Sequence, residues 1–329
     1  MKRNYFIHLI SLFLVVFSSC QKADDSITIE NDKLPMSVIA RIGDVEPASA
    51  RYAGTLPNDV FFTEGDAIGI FMFEKNADNK GDVAKWAHDA MKWGTTADVN
   101  WPDREKEYTF KAFYPYDDKA TYTYTNIPMP SLLGQNGTFE SVANRDFLIA
   151  STTQTYGTDG NVVLTFCHKL ALIHMTINGS YDLTNATLMG ITIKGGNIVA
   201  PSTYSFDDDK ITIDSNAEIT DELSFKTEQA TNNNLEYFFV LNNKNTNTDI
   251  VSLTITYKVN DTNYTATYDN FSGNVFTSGA QHDFTISVIN NQISITGATI
   301  NPWTSDNNTE DNNIIINDPK EIANEEEDV

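Results

Sequence analysis

The sequence predicts an all-β protein with two β-sandwich domains in tandem. Two observations carry this prediction. Short apolar stretches recur in which successive side chains alternate between two faces, the period of a strand. In the second half they follow one another at a spacing of about 8–12 residues, separated by turn chemistry, which is the rhythm of a sandwich. A third observation excludes the alternative: no long stretch repeats at 3.6 residues, so no long amphipathic helix is expected.

The chain opens with an address rather than a fold. Lys2 and Arg3 precede an apolar run from Phe6 to Phe17, broken by His8 and Ser11. About twelve residues are too few to cross the hydrocarbon of a bilayer as a helix, so residues 1–19 are read as a cleaved signal peptide. Ser18-Ser19-Cys20 follows, and Cys20 stands where a lipoprotein signal places the cysteine that is acylated. Two or three acyl chains suffice for stable attachment. Cys167 is then the one remaining thiol, and no intramolecular disulfide is expected. Residues 20–33 are polar and are assigned as a tether.

From Leu34 the texture changes. Met36, Val38 and Ala40 alternate with Ser37, Ile39 and Arg41, predicting a first strand. Residues 43–59 hold Gly43, Pro47, Gly54, Pro57 and Asn58, a loop. Asp66 to Phe73 is an apolar strand after the turn residues Glu64-Gly65. Residues 74–92 are ambiguous, with 83–91 either a short helical turn or a loop. Tyr108 to Tyr114 alternates cleanly, and Pro115 ends the strand because it has no N–H for the ladder. Arg145 to Ala150 is a further short strand. Val162 to Ile177 is apolar on both faces, predicting one central or crossing strand.

After Asn178-Gly179 short strands are expected at 187–193, 202–206, 210–213, 236–241, 252–259, 263–268, 283–288 and 293–295. Asp207-Asp208-Asp209 forms the loop of a hairpin. The expected organisation is therefore an N-terminal sandwich over 34–180 and a C-terminal one over 181–303. Residues 304–329 carry nine acids against Lys320 alone, which predicts a solvated, mostly disordered acidic tail whose one apolar island is Ile314-Ile315-Ile316.

Composition narrows the function. Lys and Arg total 22 against 45 Asp and Glu, a formal charge of −23. A general nucleic-acid binder needs a clustered cationic face, so no nucleic-acid partner is expected. Two cysteines and five scattered histidines exclude a disulfide scaffold and a Cys-rich zinc module. There is no phosphate loop, HExxH, nucleophile elbow or Cys-x-x-Cys.

The remaining candidates for chemistry are weak. His168 and His174 would share a face of one extended strand but lie about 20 Å apart, too far for one metal. Cys167 and His168 would point to opposite faces, which weakens a nucleophilic pair. The three aspartates at 207–209 lack the glycine-centred loop of a calcium site. The chain is therefore expected to have no catalytic residues, no metal and no cofactor. Trp86, Trp93, Trp101, Tyr114 and Tyr116 pack a sandwich more readily than they form a sugar-stacking platform.

Six local signatures occur in order: Arg51; Gly65-Asp-Ala-Ile-Gly-Ile-Phe71; Tyr108-Thr-Phe-Lys-Ala-Phe-Tyr-Pro-Tyr116; Arg145-Asp-Phe-Leu-Ile-Ala150; Phe166-Cys-His-Lys-Leu-Ala171; and Ile295-Thr-Gly-Ala-Thr-Ile-Asn-Pro-Trp303. This set, behind a lipoprotein signal, resembles the fimbrillin family of Bacteroidetes, over roughly residues 36–303. Gln21-Lys-Ala-Asp-Asp25 is similar to the surface-export signal of lipoproteins in that phylum, and Asp25-Ser26-Ile27 to its O-glycosylation acceptor.

The resemblance implies transthyretin-like sandwiches and a structural or adhesive pilus subunit, anchored at the outer membrane through Cys20 and exposed on the surface. It implies other fimbrial subunits as partners and a surface ligand on a host or another bacterium. In the family, a protease cuts after an N-terminal arginine and removes the first strand, and a neighbour's strand takes its place. Carried to this chain, the displaced strand is about Pro35–Arg41, with Met36, Val38 and Ala40 facing inward. Arg51 and Arg41 are the cleavage candidates, and Arg51 is preferred because small residues flank it in a loop. Ile314, Ile315 and Ile316 are a candidate donor segment. The rival reading is a surface glycan-binding lipoprotein that does not polymerise, which exposed Trp101 and Trp303 beside a shallow groove would favour.

Overall fold

The computed structural model describes residues 34–43, 62–89, 92–213, 221–242, 250–269, 276–303 and 312–313. Nearly all regular structure among them is β. One short helix, Phe139–Ala143, is capped by Thr138, whose Oγ1 accepts from the Ser141 N–H. The described residues belong to one unit, Leu34–Val329.

A seven-stranded sheet runs in the order Ser37–Ile42, Asn161–His168, Leu148–Gln154, Tyr108–Tyr114, Ala67–Glu74, Val83–Asp89, Lys92–Gly94. Its pairings are antiparallel except the first, in which Ser37–Ile42 runs parallel to Asn161–His168. The sheet curls until its two ends, Ser37–Ile42 and Lys92–Gly94, lie against each other. The side chains on the enclosed face, among them Ile68, Trp86, Phe110, Leu148, Val162 and Phe166, make one core. Trp101 is part of it and is 2% exposed.

Three further sheets carry the rest. A five-stranded sheet has the order Leu235–Leu241, Ala171–Ile177, Ala280–Ile289, Gln292–Pro302, Asn312–Asn313. A four-stranded sheet has the order Glu222–Ala230, Thr187–Gly195, Ile250–Val259, Thr262–Tyr268. A three-stranded sheet joins Lys210–Ile213 and Ser202–Ser205 to Ile127–Pro128. The hairpins at Asn260-Asp261 and Asn290-Asn291 have positive φ at both residues, the conformation that tight hairpin turns require and that Asn and Asp tolerate.

Two expectations need correction. Residues 83–89 are neither helical turn nor loop but a strand. The apolar run 162–177 is not one strand: it breaks at Lys169-Leu170 and passes from the seven-stranded sheet to the five-stranded one. The Lys169 N–H donates to the Phe147 carbonyl, and the Leu170 carbonyl accepts from Gly279. The Asp207–Asp209 turn joins Ser202–Ser205 to Lys210–Ile213 as expected.

Candidate functional site

Ser37–Ile42 is a strand whose inward face carries Val38 and Ala40, with Met36 just before it on the same side. Val38 is buried in the seven-stranded core, and Met36, Ala40 and Ile42 pack against it. Ser37, Ile39 and Arg41 face outward, and Ile39 is 40% exposed beside its register partner Val163. The ladder runs from Ser37 opposite Asn161 to Ile42 opposite Phe166. Leu34 and Pro35 form a second, short ladder with Trp101 and Asn100.

Specific contacts fix the register. The Ser37 N–H donates to the Gly160 carbonyl at 3.3 Å, and the Gly43 N–H donates to Phe166 at 2.9 Å. The indole N–H of Trp101 donates to the same Gly160 carbonyl at 3.0 Å. Ser37 Oγ and Asn161 Oδ1 are hydrogen-bonded. Gly160 has φ +67°, and a Cβ there would collide with the Pro35 carbonyl oxygen, so this turn admits the entering chain only because it carries no side chain. Gly160, Asn100 and Trp101 are thus part of the site although nothing local marks them; only the pairing of distant segments brings them together.

The strand is hydrogen-bonded along one side only, to Asn161–His168, and touches Lys92–Gly94 on the other. A buried valine side chain contributes about 1.5–3 kcal/mol, and three half-buried neighbours contribute less each. The seat is therefore apolar and continuous with the core, and the strand is held by a ladder on one side and by the short Leu34–Pro35 ladder at its start. Beside Met36 lies a half-open cavity of about 220 Å³. Ile70, Met72, Ala84, Trp86 and Val99 wall it, with Asp82, Asp98 and Asn100.

Arg41 lies within the ladder, its Nε donating to Thr165 Oγ1 at 3.0 Å. Cys20, Arg51 and Ile314–Ile316 lie outside the described residues. Among the described residues, Gln292–Pro302 pairs on its side away from Ala280–Ile289 with Asn312–Asn313, opposite Ile300 and Thr299.

The histidines singled out from sequence fall in different sheets. His168 Nδ1 lies 2.7 Å from Asp146 Oδ2, both groups buried, and its ring stacks on Trp303 at 3.7 Å between centroids. His174 Nδ1 lies 2.7 Å from Asp283 Oδ1, and its ring stacks on Phe238. Cys167 is exposed while His168 is buried, so the two do point to opposite faces. Asp209 accepts from Tyr204 and pairs with Lys169 at 2.7 Å. Among the described residues no group of three His, Cys, Asp or Glu side chains could hold a metal ion. Trp101 and Trp303 are 2% and 1% exposed, so neither offers a ring to a sugar.

Arg145 donates to the carbonyls of Leu133, Gly134 and Ser141, ordering the loop that delivers Asp146 to His168. Three of the ordered sequence signatures, around Arg145, His168 and Trp303, therefore meet at one buried node.

A comparison with curated proteins returned no match. Among solved structures, a candidate cell adhesion protein of Bacteroides ovatus is 18% identical, with a TM-score of 0.58 over 83% of this chain and 99% of its own. A candidate cell adhesion protein of Bacteroides uniformis is 17% identical, with a TM-score of 0.56 over 83% of this chain and 99% of its own. At these identities the likeness is one of fold. The fimbrillin-like family model matches residues 53–303, most of the chain, and the chain belongs to the fimbrillin-like family.

Proposed function

We propose that this chain is a surface-exposed fimbrial subunit with a structural or adhesive role, held at the outer membrane by acylated Cys20 until it assembles with other subunits. In this reading a protease cuts after Arg51, Leu34–Gly43 leaves its place between Asn161–His168 and Lys92–Gly94, and a neighbour's strand enters. Main-chain hydrogen bonds to the freed edge supply affinity and alternate side chains fill the sites of Met36, Val38 and Ala40. Such a joint is head-to-tail and does not close on itself, so it propagates as a filament. The two halves, 34–180 and 181–303, act as two lobes of one rod segment.

The observation that carries the reading is the opening segment itself, an edge strand inserted into an apolar core and secured by a ladder along one side and a two-residue ladder at its start. Arg41 is engaged in that ladder, which supports Arg51 as the processed bond. The test is to treat purified full chain with an Arg-specific protease and follow it on a non-reducing gel without boiling. Ladders are expected from the wild type and none from Arg51→Ala. Persistent monomer after verified cleavage at Arg51 would exclude a polymerising role. In cells, Cys20→Ala is expected to move the protein out of the membrane fraction, and unchanged fractionation would remove the anchor from the proposal.

A further inference from the structure

Four connections meet at one end of the four- and five-stranded sheets: 178–186, 231–234, 260–263 and 290–291. Hydrogen bonds stitch them together. Thr231 donates to the Ala186 carbonyl from its N–H at 3.0 Å and from its Oγ1 at 2.9 Å. A Cβ on Gly179 would collide with the carbonyl oxygens of Thr231 and Asn233, so glycine lets these two connections lie backbone against backbone. The Asn291 N–H donates to Asp182 Oδ2 at 2.5 Å, and Asn291 Oδ1 accepts from the Tyr257 hydroxyl at 3.2 Å. Tyr264 stacks on Tyr257, its register partner, with ring centroids 5.4 Å apart. Contacts therefore run without a break from Tyr181-Asp182 through Asn291 and Tyr257 to Tyr264.

The chemistry of this end departs from that of the chain. The sequence carries −23, yet these connections hold no charged residue besides Asp182 and Asp261. Asp182 accepts from Asn291, and Asp261 pairs with Lys258 at 2.7 Å. What the connections expose instead is carboxamide, at 185, 232–234, 260, 263, 290 and 291. Positive φ accounts for asparagine at 185, 260, 290 and 291, but not at 232–234 or 263. Two rings stand among these amides: Tyr181 is 61% exposed and Tyr264 41%. Tyr181 has φ +54°, a conformation that costs a bulky residue free energy, and a ring left in solvent regains little of it within the chain. An amide both donates and accepts, which matches neighbouring hydroxyls. A tyrosine ring offers a flat apolar face to the C–H face of a pyranose while its hydroxyl stays wet. Loops already fixed by hydrogen bonds lose little freedom on binding. These connections expose no large aliphatic side chain and contain no Lys or Arg, so they provide neither the apolar centre of a protein interface nor a counter-charge for an acidic sugar.

We infer that this end of the fold is a binding site for a neutral carbohydrate, with Tyr181 and Tyr264 as its stacking rings and the asparagines at 232–234 and 263 as partners for the sugar hydroxyls. The inference rests on the adhesive side of the reading above and supplies its ligand class; it does not need strand exchange.

The test displays the full chain in many copies on beads, so that avidity reveals weak sites. The beads meet immobilised neutral oligosaccharides ending in glucose, galactose, mannose or an N-acetylhexosamine, and sialylated and sulfated counterparts. Retention on at least one neutral sugar is expected, and weaker retention on the acidic forms. Tyr181→Asn and Tyr264→Thr should each reduce it about tenfold or more, whereas Leu133→Ser, at an exposed side chain outside these connections, should not. A second measurement separates binding from folding. Asparagine tolerates φ +54°, so Tyr181→Asn should unfold in urea at or above the wild-type midpoint. A lowered midpoint would mark Tyr181 as a structural residue and overturn the inference. So would no retention on any neutral sugar, retention indifferent to both tyrosine variants, or a preference for the acidic forms. Equal retention on a desialylated glycoprotein before and after enzymatic removal of its glycans would assign the site to protein and overturn it too. None of these failures touches the ladder assay of the cleaved chain, which tests assembly separately.

Discussion

His282 is a buried base inside a β-protein, 1% exposed. Its Nε2 accepts the Thr277 N–H at 3.1 Å and its ring meets Phe276 edge-on. Burial lowers its pKa to about 4, against weaker opposing effects of Asp283 and the Thr277 hydrogen bond. The sign of the consequence follows from linkage. The unfolded chain binds a proton near pH 6.5, while the folded chain resists until about pH 4. The stabilising contribution of neutral His282 is therefore complete above pH 6.5 and drains away as the pH falls toward 4. Over that window the loss is about 3 kcal/mol. Urea titrations of wild type and His282→Gln at pH 7 and pH 4.5 should show a smaller acid loss in the variant, whose amide oxygen can still accept from Thr277. Equal acid losses would place the sensitivity elsewhere. His168 is buried too, with its Nδ1 2.7 Å from Asp146 Oδ2 and its ring stacked on Trp303. Removing either partner would leave a buried polar atom of the other without its hydrogen bond.

At the scale of the element, the opening strand depends on a glycine that is not in it. Gly160→Ala would place a methyl group against the Pro35 carbonyl oxygen at positive φ, pushing out the Leu34–Pro35 end while leaving the inward face of Val38 and Ala40 intact. Hydrogen exchange should accelerate by about tenfold or more at the amides of residues 37–42, since local opening reports the free energy of that segment alone, with little change in Ala171–Ile177. Uniform acceleration would mean that the strand does not open separately. The inward face of this strand was readable in the sequence because only one face is buried, and that produces alternation. Its partner was not, because a parallel ladder joins residue 37 to residue 161 with no local signal. The same logic explains the misread run at 162–177. Val163 and Cys167 are apolar in type but sit on the outward face of Asn161–His168, so they hid the alternation and merged that strand with the fully buried Ala171–Ile177. Val83–Asp89 is half-buried on both faces, so neither period emerged. Glu222–Ala230 buries only Leu223 and Phe225, too few to announce a strand.

At the scale of the molecule, the two sequence halves share their largest core. Phe71, Phe113, Ile127 and Phe147 from before residue 180 pack in the same cluster as Leu172, Ile191, Phe239 and Trp303. Ile127–Pro128 completes a sheet with Ser202–Ser205, and Lys169 pairs with Asp209. Separating the halves would expose the four named N-terminal side chains, each worth about 1.5–3 kcal/mol when fully buried. That sum is comparable to the whole stability of a typical domain, about 5–15 kcal/mol, so neither half is expected to stand while the other unfolds. The prediction is one cooperative transition in urea. Trp303→Phe leaves Trp86, Trp93 and Trp101 as reporters of the seven-stranded core, while far-ultraviolet circular dichroism reports all sheets. Coincident midpoints would support a single cooperative unit. A fluorescence transition separated from the dichroism transition would instead mean that the shared cluster couples the lobes weakly, and that each could transmit or yield to tension along a filament on its own.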